Sequence, residues 1–289
     1  MNCPLCEGTG WKPVEDPSGV RRVVRCDCWR ERVGQERLAD ANIPRRYQHC
    51  TLDNFLAYNE SLTRAVEASR RVVERFMFAK STEQQGRGVL LEGDPGVGKT
   101  HLAVAILKEI LATYRVRGLF YDTRELLKLI RGTYNSETKT TEVEILRPIM
   151  TADLLVLDDL GAEKTSEWVE ETMNLIVNTR YNERRMTVFT SNYKDIPDDG
   201  DINSLLFRIG FRMRSRLHEM CEFIVLDGAD YRERPDNAGR EDLINLWKRR
   251  QMSDSPRPLP SPRGTNRQAR AQLRDNKADL KWPGGRAGS

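Results

Sequence analysis

Between residues 50 and 232, short apolar runs alternate with longer stretches in which apolar residues recur at helical spacing. Residues 88–91 read as a buried strand. Residues 100–113 place Leu102, Ala105, Ile106 and Ile110 on one stripe, interrupted by Glu109, and predict a helix. Residues 119–121 predict a second strand and 124–134 a helix. Residues 154–157, Leu-Leu-Val-Leu, predict a fully apolar strand that ends in Asp158-Asp159. A helix follows over 167–183, a strand over 186–190, a helix over 204–220 and a last strand over 222–226. Strands alternating with helices in this order predict an α/β domain with a parallel sheet flanked by helices.

The two ends break this pattern. Residues 1–34 carry four of the six cysteines and predict a small separate module, joined through a linker over 35–49 to a domain spanning 50–232. Residues 233–289 are rich in Pro, Gly, Arg and Ser, and the Pro-spaced run 255–262 excludes a helix or central strand. Most of this tail is therefore expected to be disordered, with a short helix possible over 240–250. No internal repeat is present.

Charge sharpens the division. The tail holds 13 Lys+Arg against 7 Asp+Glu, whereas the remaining 34 basic and 36 acidic residues nearly cancel. A basic tail suits nucleic acid or an acidic protein face, and equally a solvating segment without a partner. No run approaches the eighteen apolar residues of a membrane span, and the N-terminus lacks signal-peptide character. The expectation is a cytoplasmic protein with reduced thiols and no membrane partner.

The strongest chemical signal is Gly93-Asp94-Pro95-Gly96-Val97-Gly98-Lys99-Thr100, a full match to the phosphate-binding loop pattern. Glycines let such a loop turn its N–H groups inward around phosphate oxygens, and the helix behind it presents its positive end. Lys99 can reach the β- and γ-phosphates, and the Thr100 hydroxyl can ligand Mg²⁺. The loop lies between a predicted strand and a predicted helix, as the mechanism requires. Asp158, at the carboxyl end of an apolar strand, is placed to hold the Mg²⁺ hydration shell, and Asp159 to polarise the attacking water. ATP and Mg²⁺ are the implied cofactors, with hydrolysis the implied reaction.

Cys3-x₂-Cys6 and Cys26-x-Cys28 form two close pairs, and four thiolates suit a tetrahedral zinc ion. The second pair has one intervening residue rather than the usual two. So short a segment needs a staple to fold, and cytosolic conditions disfavour disulfides. Cys50 and Cys221 fall in segments that read as core. The histidines are too scattered to suggest a site of their own.

Taken together, these residues resemble the AAA+ ATPases of the DnaC/DnaI helicase-loader group and the related IstB-like ATP-binding proteins. The likeness rests on Ile43-Pro44-Arg45-Arg46-Tyr47, on the loop from Gly93 through His101 to Ala103, on Leu154 to Gly161, on Thr190-Ser191-Asn192 and on Arg214-Ser215-Arg216-Leu217. Further matches are Glu219-Met220-Cys221 and Asp230-Tyr231-Arg232. It covers residues 43–232. It implies that the loop residues Gly93 to His101 surround the nucleotide. It also implies that Asn192 orients the attacking water, that Arg216 reaches the γ-phosphate held by a neighbouring subunit, and that Arg232 contacts nucleotide in its own subunit. Arg234, two residues on, competes for that last role. Tyr47 and Phe55 are candidates to line the adenine and equally plausible as core. An arginine acting in trans implies a homo-oligomer with ATP at subunit interfaces. The resemblance further implies a loader of a hexameric replicative helicase that contacts single-stranded DNA, with the cysteine module on the helicase. The alternative is a transposition regulator that assembles on duplex DNA and recruits a transposase.

Overall fold

The computed structural model describes residues 3–15, 17, 19–78, 86–134, 141–164, 166–195, 204–234 and 239–254. In chain order the elements are β1 (Trp11–Glu15), β2 (Arg21–Arg25), α1 (Asp27–Ala39), α2 (Glu60–Phe78), β3 (Gly88–Gly93), α3 (Lys99–Tyr114), β4 (Gly118–Asp122) and α4 (Thr123–Gly132). They continue with α5 (Glu142–Thr151), β5 (Leu154–Asp158), α6 (Glu167–Asn182), β6 (Met186–Ser191), α7 (Leu205–Met220), β7 (Cys221–Leu226) and α8 (Arg240–Asp254).

Five strands make one sheet in the order β4-β5-β6-β3-β7, and every pairing in it is parallel. A parallel sheet needs both faces covered, because each strand is apolar on both sides. Side chains alternate accordingly. Val89, Leu91, Val156 and Val188 join the core under α2 and α3, while Leu90, Leu155, Leu157 and Phe189 join the core under α4, α5, α6 and α7. Helix α3 is apolar almost all round because it lies between the sheet and the helices α1 and α2. Only Glu109 on its expected stripe turns outward.

Three departures from the sequence reading have physical causes. Helix α1 runs across the boundary expected at residue 34 and packs on α3, and beyond it Ala41 is buried with its carbonyl accepting from the Phe120 N–H (2.8 Å). Residues 35–49 are thus docked on the sheet edge rather than free. Helix α8 is longer than the 240–250 expected and sets Leu243 fully inside the core, with Ile244, Leu246 and Trp247 packed around it. The ordered body therefore extends past residue 232. The rest of the expected disordered segment, 255–289, lies outside the described residues. Third, α7 is interrupted at Gly210, whose φ/ψ is non-helical.

Candidate functional site

The order of the sheet puts three carboxyl-terminal strand ends side by side: β5, β6 and β3. Ligands in open α/β sheets bind at such ends. The loop after β3 runs from Gly93 to Gly98, and α3 starts at Lys99. Gly98 is the N-cap, with φ 101°, and no side chain caps the helix. A residue with a Cβ is strained there, and the uncapped first N–H groups are left for an anion. At Gly96, whose φ is 81°, a side chain would be strained and its Cβ would displace the Asp230 carboxylate, 1.8 Å away. The Tyr231 N–H donates to the Gly96 carbonyl (3.0 Å) and fixes that contact.

Lys99 is buried, and its ammonium donates to the carbonyls of Gly93 (2.8 Å) and Asp94 (2.7 Å). Burial lowers its pKa to about 8, against the pull of Asp158, Asp159 and Asp94. The Thr100 hydroxyl donates to Asp158 (2.9 Å), so the two oxygens expected to hold Mg²⁺ already converge. Thr190, from β6, also donates to Asp158 (2.6 Å) and accepts from the Asp159 N–H (2.8 Å). Burial raises the Asp158 pKa, and the hydrogen bonds from Thr190 and Thr100 oppose it. Asp159 has a φ of 60°, a left-handed conformation that costs energy outside glycine and clusters at functional sites. Its carboxylate accepts from the Asn192 side-chain amide (2.6 Å) and from Arg124 (3.0 Å).

A cleft of about 750 Å³ opens over these groups. Pro95 to His101, Asp158, Asp159, Asn192 and Arg232 line it, and so do Tyr47 and Phe55. Arg234 also lines it, its guanidinium over the Tyr231 ring. Gly93 and Asp94 lie behind the lysine. His101 donates from Nε2 to the Thr51 carbonyl (2.9 Å) and meets the Phe55 ring edge-on. Burial lowers its pKa, which suits a neutral ring that holds the segment before α2 against α3. The donor set fits ATP and Mg²⁺: an uncapped helix start, a buried ammonium, and a hydroxyl and carboxylate in contact. Arg216 lies outside this cleft, half-buried on α7, where it lines a second cavity together with Glu167, Glu170, Glu171 and Arg212.

The four N-terminal cysteines come together with all sulfurs within 4.8 Å of one another. Cys3 and Cys26 sulfurs are 3.7 Å apart, and Cys6 and Cys28 sulfurs 3.3 Å. Tetrahedral zinc with bonds near 2.3 Å needs sulfurs roughly 3.8 Å apart, so the donor set fits. The Cys28 thiol beside it lowers the Cys6 pKa to about 7, while the same contact raises that of Cys28. The guanidinium of Arg25 sits between the Trp11 and Trp29 rings beneath this knot.

The sequence motifs do not reveal Thr190's clamp on Asp158, Arg124's pairing with Asp159, or the cluster in which Arg131 lies over the half-buried Trp168 and Tyr134 meets that ring edge-on. Thr190 falls inside a matched segment but carries no motif role of its own. The other two depend on contacts between distant segments.

Residues 55–236 match the model of the IstB-like ATP binding protein family, which is more than half of the chain. The chain belongs to that family. Relatives of this IstB-like ATP binding protein include the replicative helicase loader DnaC of Buchnera aphidicola (Acyrthosiphon pisum), 28% identical over 158 residues. That match covers 55% of this chain and only 61% of the relative. Among solved structures, the DnaC helicase loader superposes with a TM-score of 0.53 at 33% identity, covering 63% of this chain and 99% of that one. DnaI superposes at 0.50 with 27% identity, covering 66% and 94%. The family and the parallel sheet agree with the expected AAA+ architecture. Among the described residues, no helix is long and apolar enough to cross a membrane.

Proposed function

We propose that this chain is an ATP-hydrolysing loader of a hexameric replicative helicase, working on single-stranded DNA in the cytoplasm as a homo-oligomer with ATP at subunit interfaces. The observation that carries the reading is the convergence of Lys99, Thr100, Asp158, Asp159 and Asn192 at three adjacent strand ends, with Arg216 on a separate cavity away from them.

In this reading the loop N–H groups and Lys99 hold the β- and γ-phosphates, and Thr100 and Asp158 hold Mg²⁺. When bound, the metal draws charge from the phosphate oxygens. Asp159 polarises a water that Asn192 orients, and the water attacks the γ-phosphorus as the bond to the bridging oxygen breaks, leaving ADP and phosphate. Arg232 meets the nucleotide in its own protomer, and Arg234 remains its rival. Arg216 projects into a neighbouring copy's site, where it offsets developing negative charge. Tyr47 and Phe55 flank the base. The cysteine module holds zinc and docks the helicase. The exposed Arg131 and Tyr134, set around the half-buried Trp168, supply charge and an aromatic face for single-stranded DNA.

Two mutants in one tube test the assembly. Lys99→Ala loses its phosphate grip, and Arg216→Ala keeps its pocket but lacks the finger. Each alone should hydrolyse ATP poorly. Mixed, an intact pocket meets an intact finger, and activity should partly return and rise with concentration. Mixtures that co-assemble by sizing yet recover nothing would remove the in-trans site. The related IstB-like reading, a regulator that recruits a transposase, predicts instead that assembly follows duplex rather than single-stranded DNA.

A further inference from the structure

A buried polar chain joins the phosphate loop to the helix that bears Arg216. Glu92, the residue before Gly93, is nearly buried, as is Asp195, each about 7% exposed. The Asp195 N–H donates to the Glu92 carboxylate (3.0 Å). The Asp195 carboxylate then accepts both Nε and an Nη of Arg214, at 2.7 Å each, and also Nε2 of His218 at 2.9 Å. Arg214 and His218 are one turn apart on α7, so both grip one carboxylate from one face. His218 also stacks on the Phe223 ring of β7, centroids 4.2 Å apart. The segment Asn192–Asp195 follows β6; its Asn192 holds Asp159, and its Lys194 carbonyl accepts from the Leu205 N–H at the head of α7 (2.8 Å).

Burial alone raises the Asp195 pKa, but the Arg214 and His218 hydrogen bonds outweigh it and hold the carboxyl below its usual range. A carboxylate this enclosed stands only if its hydrogen-bond donors, the Arg214 guanidinium above all, stay in place. Bidentate pairing also fixes direction as well as distance, which a lysine at the same place does not. Arg216 is two residues from Arg214, on the opposite side of the helix, where it is half-buried.

We propose that Glu92, Asp195, Arg214 and His218 are positioning residues that set the angle at which a protomer presents Arg216 to its neighbour. The inference rests on the in-trans reading above. Its consequence is directional: damage to the network spoils a protomer as a donor of the arginine far more than as a holder of ATP.

Mixed assemblies read that asymmetry. Lys99→Ala supplies the finger and Arg216→Ala the pocket, and their recovered ATPase is the reference. Adding Asp195→Asn to the Lys99→Ala partner should cut the recovery at least tenfold. Adding it to the Arg216→Ala partner should leave most of it. Arg214→Lys, which keeps the charge but not the fork, should repeat the donor defect, and co-assembly by sizing with an unchanged melting profile guards against misfolding. Undiminished recovery with the altered donor, or equal losses in both arms, overturns the network. Absence of recovery in the reference mixture removes the in-trans reading, and the network's role falls with it.

Discussion

Lys99 is where residue-scale physics meets function. In the free protein its pKa sits near 8, below the ordinary lysine value, because burial disfavours the charge. The folded chain therefore holds fewer protons than the unfolded one between pH 8 and the ordinary value, and this residue's contribution to stability rises with pH across that window. Phosphates reverse the balance by restoring the charge. Nucleotide binding should take up roughly a quarter of a proton at pH 7.5 and three quarters at pH 8.5. Calorimetric titrations in buffers of different ionisation heat measure the uptake directly, and equal values at both pH points would count against a buried, titrating Lys99. The loop itself is legible in the sequence because its glycines, lysine and threonine act at fixed local spacing. Thr190 and Asp195 are not, since their partners lie 32 and 19 residues away across the sheet end.

At the scale of elements, α8 is the informative case. Its composition reads as a charged, proline-flanked tail, yet Leu243 is fully enclosed in the core. Near its end, Arg250 donates to the Gly228 carbonyl (3.2 Å) and pairs with Asp94 of the phosphate loop. Leu243→Ala should cost about 2–5 kcal/mol, since it removes a buried side chain and leaves a void. Urea denaturation gives the number, and a loss well under about 1 kcal/mol would mean that α8 is not part of the folded body. The nine elements that the pattern predicts between residues 88 and 226 all form, with ends shifted by at most two residues. Helices α2 and α5 escape it. The buried stripe of α2 is built partly from Ala65, Ala68 and Ser69, small residues that dilute an apolar period, and α5 carries Pro148, which reads as a breaker. Strands β1 and β2 are mostly exposed and have no apolar face to announce them.

Across the whole molecule, the cysteine knot and the ATPase body fold for different reasons. The body has two apolar cores, one on each face of the sheet, whereas the knot has four sulfurs. About one zinc per chain should be found by elemental analysis, and Cys3→Ser or Cys28→Ser should lower it. Hydrogen exchange in the same variants should speed up over β1, β2 and the head of α1 and stay unchanged in β3 to β7. Metal-free protein with full protection at the knot would refute a zinc requirement. The two parts are joined by one continuous helix. Helix α1 begins between Cys26 and Cys28 and lies against α3, whose first residue is Lys99. Thirteen helical residues span about 20 Å, so α1 behaves as a stiff lever: a 10° tilt at its root sweeps the tip by roughly 3–4 Å. Any rocking of α3 as the phosphate pocket fills and empties is thereby magnified into a swing of the outer module, with no hinge in between to absorb it.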